Sequence, residues 1–457
     1  MTRLVSCVDF GSTFTKAALV DVDDGRLLAT ASHRTTLDTD VLDGWEACRA
    51  QLSVEHPGVL DAEVLACSSA GGGLRIGIVG NEELVTAEAG RRVALSSGAR
   101  VVHIASGGLG SGASAALGDA APDMILLVGG TDGGNAEALL ASARELAFCA
   151  WPVPVVVAGN ADAQAEVTEI LSHAGVPHVL ADNVVPRIGV LAPDAARAAI
   201  RAMFLVHVIG GKHLSARADF AAMVRGATPD LVLTAVQLLA ESVGDVVAVD
   251  VGGATTDIHS VVEVDPEDSG LTRQVVAPMP ASRTVEGDLG MRWSAVDTVR
   301  SGREAGLVEE QEYAVLHEAA RERRDDPAYL PVSETDVEHD ERLATVATGL
   351  ALRRHAGRQQ VRFGPDGRLV ERTGKDLREV GLVVGSGGVL RHNATEVAAR
   401  VLGASCGHDF EGGWLLPRAP RTVVDRDYVL AAAGLLSGEH PAVARRLLQR
   451  LVEEDER

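Results

Sequence analysis

Lysine is almost absent from this chain. Its 457 residues include only Lys16, Lys212 and Lys375, and 42 basic residues face 64 acidic ones for a formal charge of −22. No basic block interrupts that background. A nucleic-acid groove is therefore excluded, because a phosphate backbone demands clustered cations. The five cysteines, Cys7, Cys48, Cys67, Cys149 and Cys406, contain no C-x-x-C pair. This excludes a disulfide framework and a zinc or iron–sulfur site, and reads as reduced, buried thiols in a cytoplasmic protein. His173, His178, His207, His213, His392 and His408 show no H-E-x-x-H or similar metal spacing. No uninterrupted apolar stretch approaches a membrane span, and residues 1–6 enter a core strand too soon for a signal peptide. A soluble, cytoplasmic chain is expected. Apolar residues are plentiful, at 46%, enough for two or three domains with cores of their own.

The chain is organised around Cys7-Val8-Asp9-Phe10-Gly11-Ser12-Thr13-Phe14-Thr15-Lys16 and the apolar run at 17–22. An apolar strand ends in a carboxylate, turns through small hydroxyl-bearing residues and returns as a second strand. Gly11 has no Cβ to block close approach, so the turn can present N–H groups and the hydroxyls of Ser12 and Thr13 to a phosphate. Asp9 then sits where it can hold a water of nucleotide-bound Mg²⁺, and Lys16 can neutralise phosphate oxygens as a point charge. An ordinary hairpin with a polar tip accounts for the same residues more blandly. The same idea returns at 246–251, where Asp250 lies near the end of a strand that runs into Gly252-Gly253-Ala254-Thr255-Thr256-Asp257. Two phosphate turns, one per half, predict two similar lobes gripping one nucleotide. A third turn, Gly385-Ser386-Gly387-Gly388, lets a flat base or ribose lie against the backbone.

In chain order, residues 4–10, 16–22 and 26–36 predict a three-stranded meander, with Gly25 in the positive-φ position of a tight turn. A helix at 43–53 leads to a strand at 63–67. The glycine run in 68–74 then reads as a flexible turn. From 100 to 183, apolar runs at 101–105, 124–128, 153–158 and 178–181 alternate with helical stretches, the pattern of parallel strands with crossover helices. The turn from Gly129 to Asn135 is an anion site at a helix start or, as the preferred reading, the tight closure of a βα unit. Further on, Glu286-Gly287-Asp288-Leu289-Gly290-Met291-Arg292 opens a helix at about 293–300, with Asp288 a natural cap. Charged amphipathic helices at 309–323 and 334–354 precede a hairpin around 364–367. A helix of small residues at 428–436 and a final helix after Pro441 complete the chain; the acidic end of the latter, 453–456, opposes its dipole and should fray.

Together the two aspartate turns and the third glycine turn resemble the actin-like ATPase superfamily of sugar kinases, actin and the seventy-kilodalton heat-shock chaperones. Six segments narrow the resemblance: 9–16, 68–74, 128–135, 250–257, 285–292 and 385–390. Over nearly the whole chain the set is similar to the MutL-type accessory proteins of glutamate mutase. The resemblance implies an α/β fold: duplicated actin-like (ribonuclease H-like) lobes with an inserted flavodoxin-like α/β subdomain. Residues 1–99 and 188–240 would form the first lobe, 100–187 the insertion and 241–457 the second lobe. The 68–74 segment would connect the lobes near the nucleotide, although a plain loop explains it equally well. The inserted block has the layout of a cobalamin-binding module. It lacks any Asp-x-His-x-x-Gly, so it is not expected to hold cobalamin by that route.

The resemblance also implies an ATP- and Mg²⁺-binding, chaperone-like factor, a slow ATPase, that services a cobalamin-dependent mutase and has the mutase subunits as partners. A homo-oligomer is compatible with it. Asp9, Thr13, Lys16, Asp250 and Thr255 would surround the phosphates and metal, with Asp9 and Asp250 on the metal. Gly11, Ser12, Gly252, Gly253 and Thr256 would complete the two turns. Gly385, Ser386, Gly387 and Gly388 would lie under the adenosine, with Asp288 and Arg292 beside it. Asp9, Asp250 and Asp257 are equal candidates for orienting the attacking water. A small-molecule kinase with the same nucleotide site, or a scaffold switched by nucleotide without turnover, remains an alternative. An iron–sulfur activator of this fold would need paired thiols that the chain lacks.

Overall fold

The computed structural model describes residues 3–70, 74–149, 151–208, 214–215, 217–263, 279–364, 367–409 and 413–453. Residues 71–73 of the expected lobe connection, Lys212, His213, the hairpin tip at 365–366 and the acidic end at 454–456 lie outside them. The chain forms two compact units, the first mainly of residues up to Leu231 and the second mainly of residues from Val232 on. Among the described residues no helix is long and apolar enough to cross a membrane.

In the first unit, β1 (Leu4–Phe10) is buried on both faces, and Val5, Val8 and Phe10 have no exposed surface. Burying side chains of this size contributes roughly 1.5–3 kcal/mol each. The strand runs antiparallel to β2 (Phe14–Asp21) and parallel to β4 (Glu63–Ser68). With β3 (Arg26–Arg34) and β10 (Val224–Ala227) the sheet order is β10-β4-β1-β2-β3. The expected meander is present, and Gly25 takes φ +63°.

A second sheet in this unit is parallel throughout. It contains β5 (Leu74–Gly80), β6 (Ala99–Ser106), β7 (Met124–Leu127), β8 (Val155–Val157) and β9 (His178–Leu180). Its order, β6-β5-β7-β8-β9, is the flavodoxin-like one, with the first strand inside and the third on its far side. β5 was not anticipated and lies before residue 100, so the sheet starts earlier in the chain than the sequence suggested. Its glycines disguise it. A Cβ on Gly77 would overlap the Leu117 side chain, and one on Gly80 would sit 2.8 Å from the Ala87 backbone. Close helix packing therefore demands residues that read as strand breakers. The sheet shares a core with the first one, since Val8, Phe10, Ile76, Ile78, Met124 and Leu126 belong to one buried cluster. The turn from Gly129 to Asn135 is stitched shut. Asn160 Nδ2 donates to the Gly134 carbonyl at 3.1 Å, and Asn183 Nδ2 to the Gly130 carbonyl and the Asp132 carboxylate at 3.0 and 2.8 Å. These are the bonds of a closed βα unit.

In the second unit, β11 (Val246–Val251), β12 (Thr256–Val261), β13 (Ala281–Glu286), β16 (Leu382–Ser386) and β17 (Arg421–Val424) form a sheet in the order β13-β12-β11-β16-β17. This repeats the first sheet position for position, down to the antiparallel β11–β12 and parallel β11–β16 pairs. The strands β14 (Arg358–Gly364) and β15 (Gly367–Thr373) form the expected hairpin. The helix Glu334–His355 starts in a capping box of Ser333 and Asp336, a signature that satisfies two otherwise orphaned amides. It ends in buried His355, whose ring nitrogens meet the Ser260 and Thr284 hydroxyls at 2.7 and 3.0 Å. Burial pushes this imidazole down to about 3. No cysteine is in a disulfide, but only Cys7, Cys48 and Cys67 are interior; Cys149 is exposed and Cys406 half-buried. That corrects the expectation of five buried thiols.

Asp425, directly after β17, is buried and accepts hydrogen bonds from the amides of Val429 and Leu430 at 2.7 and 3.0 Å. Burial outweighs those bonds and pushes its carboxyl up from 3.8 to about 6. A raised acid means that the folded state holds its proton more tightly than the unfolded state does. The group therefore costs stability above the folded value, by roughly 2–3 kcal/mol, and the cost fades as pH falls through about 6 toward 4. Asp425→Asn should be more stable than wild type in urea at pH 7.5, with the gap falling to about half at pH 5 and closing near pH 4. A gap that is constant across this range would contradict the assignment.

Candidate functional site in the strand-mouth turns

The mouths of β1 and β11 carry the same turn. In the first unit Asp9 pairs with Lys16 across the strands, and the Gly11 N–H donates to the Phe14 carbonyl at 3.1 Å. In the second, Asp250 pairs with Asp257 and the Gly252 N–H donates to the Thr255 carbonyl at 2.9 Å. A Cβ would lie 2.7 Å from the Phe14 oxygen at Gly11, or 2.8 Å from the Thr255 oxygen at Gly252. Both positions thus require glycine. The amides of Ser12 and Thr13, and those of Gly253, Ala254 and Thr255, donate to no group among the described residues. Successive unpaired amides in a turn form an anion-binding concavity.

Asp9 is only 6% exposed. Its Oδ1 accepts from the Thr228 hydroxyl at 2.6 Å and the Cys67 thiol at 3.6 Å, and its Oδ2 lies 3.4 Å from Lys16 Nζ. The topology brings these groups together. Cys67 on β4 pairs with Asp9, and Thr228 follows β10, which pairs with β4. Burial, reinforced by the Asp9 charge, raises the Cys67 thiol far above its usual range, so it serves only as a weak donor. The Thr35 hydroxyl, just past β3, holds the Gly11 carbonyl at 2.7 Å.

The second turn differs electrostatically. Where the first unit sets Lys16 across from Asp9, β12 sets Asp257 across from Asp250. Directly opposed residues of this kind keep their Cβ atoms about 4.5–5.5 Å apart. Arg283 on β13 offsets the charge, donating from Nη2 to Asp257 Oδ2 at 3.0 Å. Asp257 Oδ1 is buried with no partner among the described residues.

The turn that follows Glu286 braces this one. The amides of Met291 and Arg292 donate to the Gly252 and Gly253 carbonyls at 3.0 and 2.8 Å, and the Ser294 hydroxyl to the Ala254 carbonyl at 2.7 Å. The next helix, Ala295–Glu304, starts later than expected because the preceding residues make these bonds. Asp288 does not cap it. Its carboxylate is held by Arg354 at 2.6 and 2.9 Å and by Ser301 at 3.0 Å, and Arg354 keeps it ionised below its usual range. The Arg292 guanidinium reaches Asp340 at 3.3 Å and the Tyr329 carbonyl at 3.2 Å. On β16, Ser386 pairs with Asp250, and Gly387 adopts φ +103° where a Cβ would overlap the Val251 carbonyl oxygen.

The family model described as MutL protein matches residues 5–452. Protein MutL of Clostridium tetanomorphum is 36% identical over 456 residues, covering 97% of this chain and 98% of that protein. The chain belongs to the MutL protein family. It is the family that the sequence motifs resembled. Among solved structures, nucleotide-free acetone carboxylase is 14% identical with a TM-score of 0.41, the match covering 96% of this chain and 70% of the carboxylase. A diol dehydratase-reactivating factor in nucleotide-free form is 12% identical with a TM-score of 0.36, covering 96% and 100% of the two chains.

For this MutL-family chain, Asp9, Gly11, Ser12, Thr13 and Lys16 gather at one strand mouth of the first unit. Asp250, Gly252, Gly253, Thr255, Thr256, Asp257, Ser386 and Gly387 gather at the matching mouth of the second. Sequence reasoning missed Thr228, Cys67 and Arg283. Thr228 precedes Pro229 and Asp230 and signals only a helix start; nothing local marks Arg283. Thr228→Val would leave Asp9 Oδ1 with the weak thiol donor alone. It should cost about 1–3 kcal/mol of stability, the usual penalty for an orphaned buried acceptor. Chemical denaturation checks this, and an unchanged midpoint would contradict it.

Proposed function

We propose that this chain is an ATP-dependent, chaperone-like accessory factor that reactivates an adenosylcobalamin-dependent mutase, with glutamate mutase as the partner. The repeated turn carries the reading: the same glycine, the same N–H to carbonyl bond and a run of unpaired amides recur at two matching strand mouths. Membership of the MutL family supports it.

The residues fit Mg²⁺–ATP. Carboxylates are suitable hard oxygen donors for Mg²⁺ or its waters, and Asp9 and Asp250 end equivalent strands. The amides and hydroxyls of Ser12, Thr13 and Thr255 suit phosphate oxygens, with Lys16 as the counter-charge. Gly385, Ser386, Gly387 and Gly388 are assigned to the adenosine. Bound ATP supplies a transferable phosphoryl group, and the protein's task is positioning and charge stabilisation. Asp257, with one unpartnered oxygen, fits the role of water acceptor better than Asp9, both of whose oxygens are engaged. The two sheets with their flanking helices are read as the two lobes, and the parallel sheet as the insertion in the first. Hydrolysis then changes the surface offered to the mutase, so that a damaged cobalamin leaves and is replaced.

Phosphate release from Mg²⁺–ATP, with and without mutase carrying inactivated cobalamin, tests this reading. Wild type should release phosphate without any acceptor, and Asp9→Asn and Asp250→Asn should each lower the rate about 100-fold. Full turnover in both variants would remove the site assignment. Phosphorylation of a metabolite would instead identify a kinase.

A further inference from the structure

Arg283 is the most heavily buried charge beside the second turn. It is 4% exposed and lies on β13 directly across from His259 of β12. Its Nε and Nη1 are buried without a partner among the described residues, as are Asp257 Oδ1 and His259 Nδ1. Only Nη2 is used, in the 3.0 Å bond to Asp257 Oδ2. A buried guanidinium that makes one of its five possible donations is costly, and a role in folding alone would favour either a fuller network or an apolar residue. His259 cannot act as its counter-ion. Burial first, then the Arg283 charge and His355, hold that imidazole far below its usual value and keep it neutral. Among the described residues, Asp257 is therefore the anion that Arg283 serves.

We infer that Arg283 is a positioning residue: it fixes Asp257 through one oxygen and leaves the other unbonded, as an oriented acceptor beside Asp250. This rests on the nucleotide reading given above. The guanidinium fits the task better than an ammonium because its planar, rigid fork sets the plane of the carboxylate it holds. It also lets two acidic residues occupy opposed positions on β11 and β12. In the first unit, Lys16 occupies the position of Asp257 and needs no such support. The assignment makes Arg283 act on the rate through Asp257 and not on nucleotide binding.

The test is a double-mutant cycle on ATP turnover, measured well below the melting temperature of every variant. Arg283→Met should lower kcat roughly 10- to 100-fold, the range of a misaligned proton acceptor, while KM for ATP stays within about threefold. Asp257→Asn should lower kcat as well, and adding Arg283→Met to it should cost less than about threefold more, because residues acting as one unit are not additive. Arg283→Lys should recover part of the loss. If Arg283→Met does not fold, the same cycle with Arg283→Lys decides the matter. A fully additive cycle, or a kcat that Arg283→Met leaves intact, would overturn this assignment while leaving the nucleotide reading in place. Absence of turnover in the wild type would overturn both.

Discussion

A carboxylate at the end of a buried strand is the constraint on which the rest depends. Asp9 and Asp250 each stand one residue before the end of a strand whose other residues are almost entirely apolar, and the chain then turns through a glycine that no other residue can replace. An ionised group in that place is tolerable only if it is bonded or paired. The first unit meets the requirement with Thr228, Cys67 and Lys16. For Asp257, the opposed partner of Asp250, the second unit supplies Arg283.

Two nearly identical backbones thus carry opposite charges at one position. Lys16 makes the first turn suited to an anion, whereas Asp257 makes the second acidic. The duplicated scaffold thus divides its chemistry, with a cation at one strand mouth and a carboxylate at the equivalent place of the other. The surrounding structure supports this division. The glycine turn before Arg292 is bonded to the second strand-mouth turn through three backbone carbonyls, and Arg292 carries that brace on to Asp340 and the helix Glu334–His355.

The parts legible in the sequence were those set by local chemistry. Gly11, Gly252 and Gly387 marked real turns because close backbone approach leaves glycine no substitute. The alternation of short apolar runs revealed four strands of the flavodoxin-like sheet. Its fifth, β5, escaped because Gly77 answers to packing from Leu117, far from it in sequence, and Gly80 to the close approach of Ala87 in the next turn of chain. Thr228 and Cys67 were invisible for the same reason, reaching Asp9 across 219 and 58 residues. Asp288 and Arg292 were found by motif, yet their side chains are bonded to Arg354, Ser301, Asp340 and the Tyr329 carbonyl, which no spacing rule foretells.

Calorimetric titration of Mg²⁺–ATP addresses the central claim most directly, because it asks whether the matching turns serve a nucleotide. The account predicts saturable ATP binding, lost on placing a side chain at these glycines, by Gly11→Val or by Gly252→Val, in protein that remains folded. Binding that survives both substitutions would contradict it.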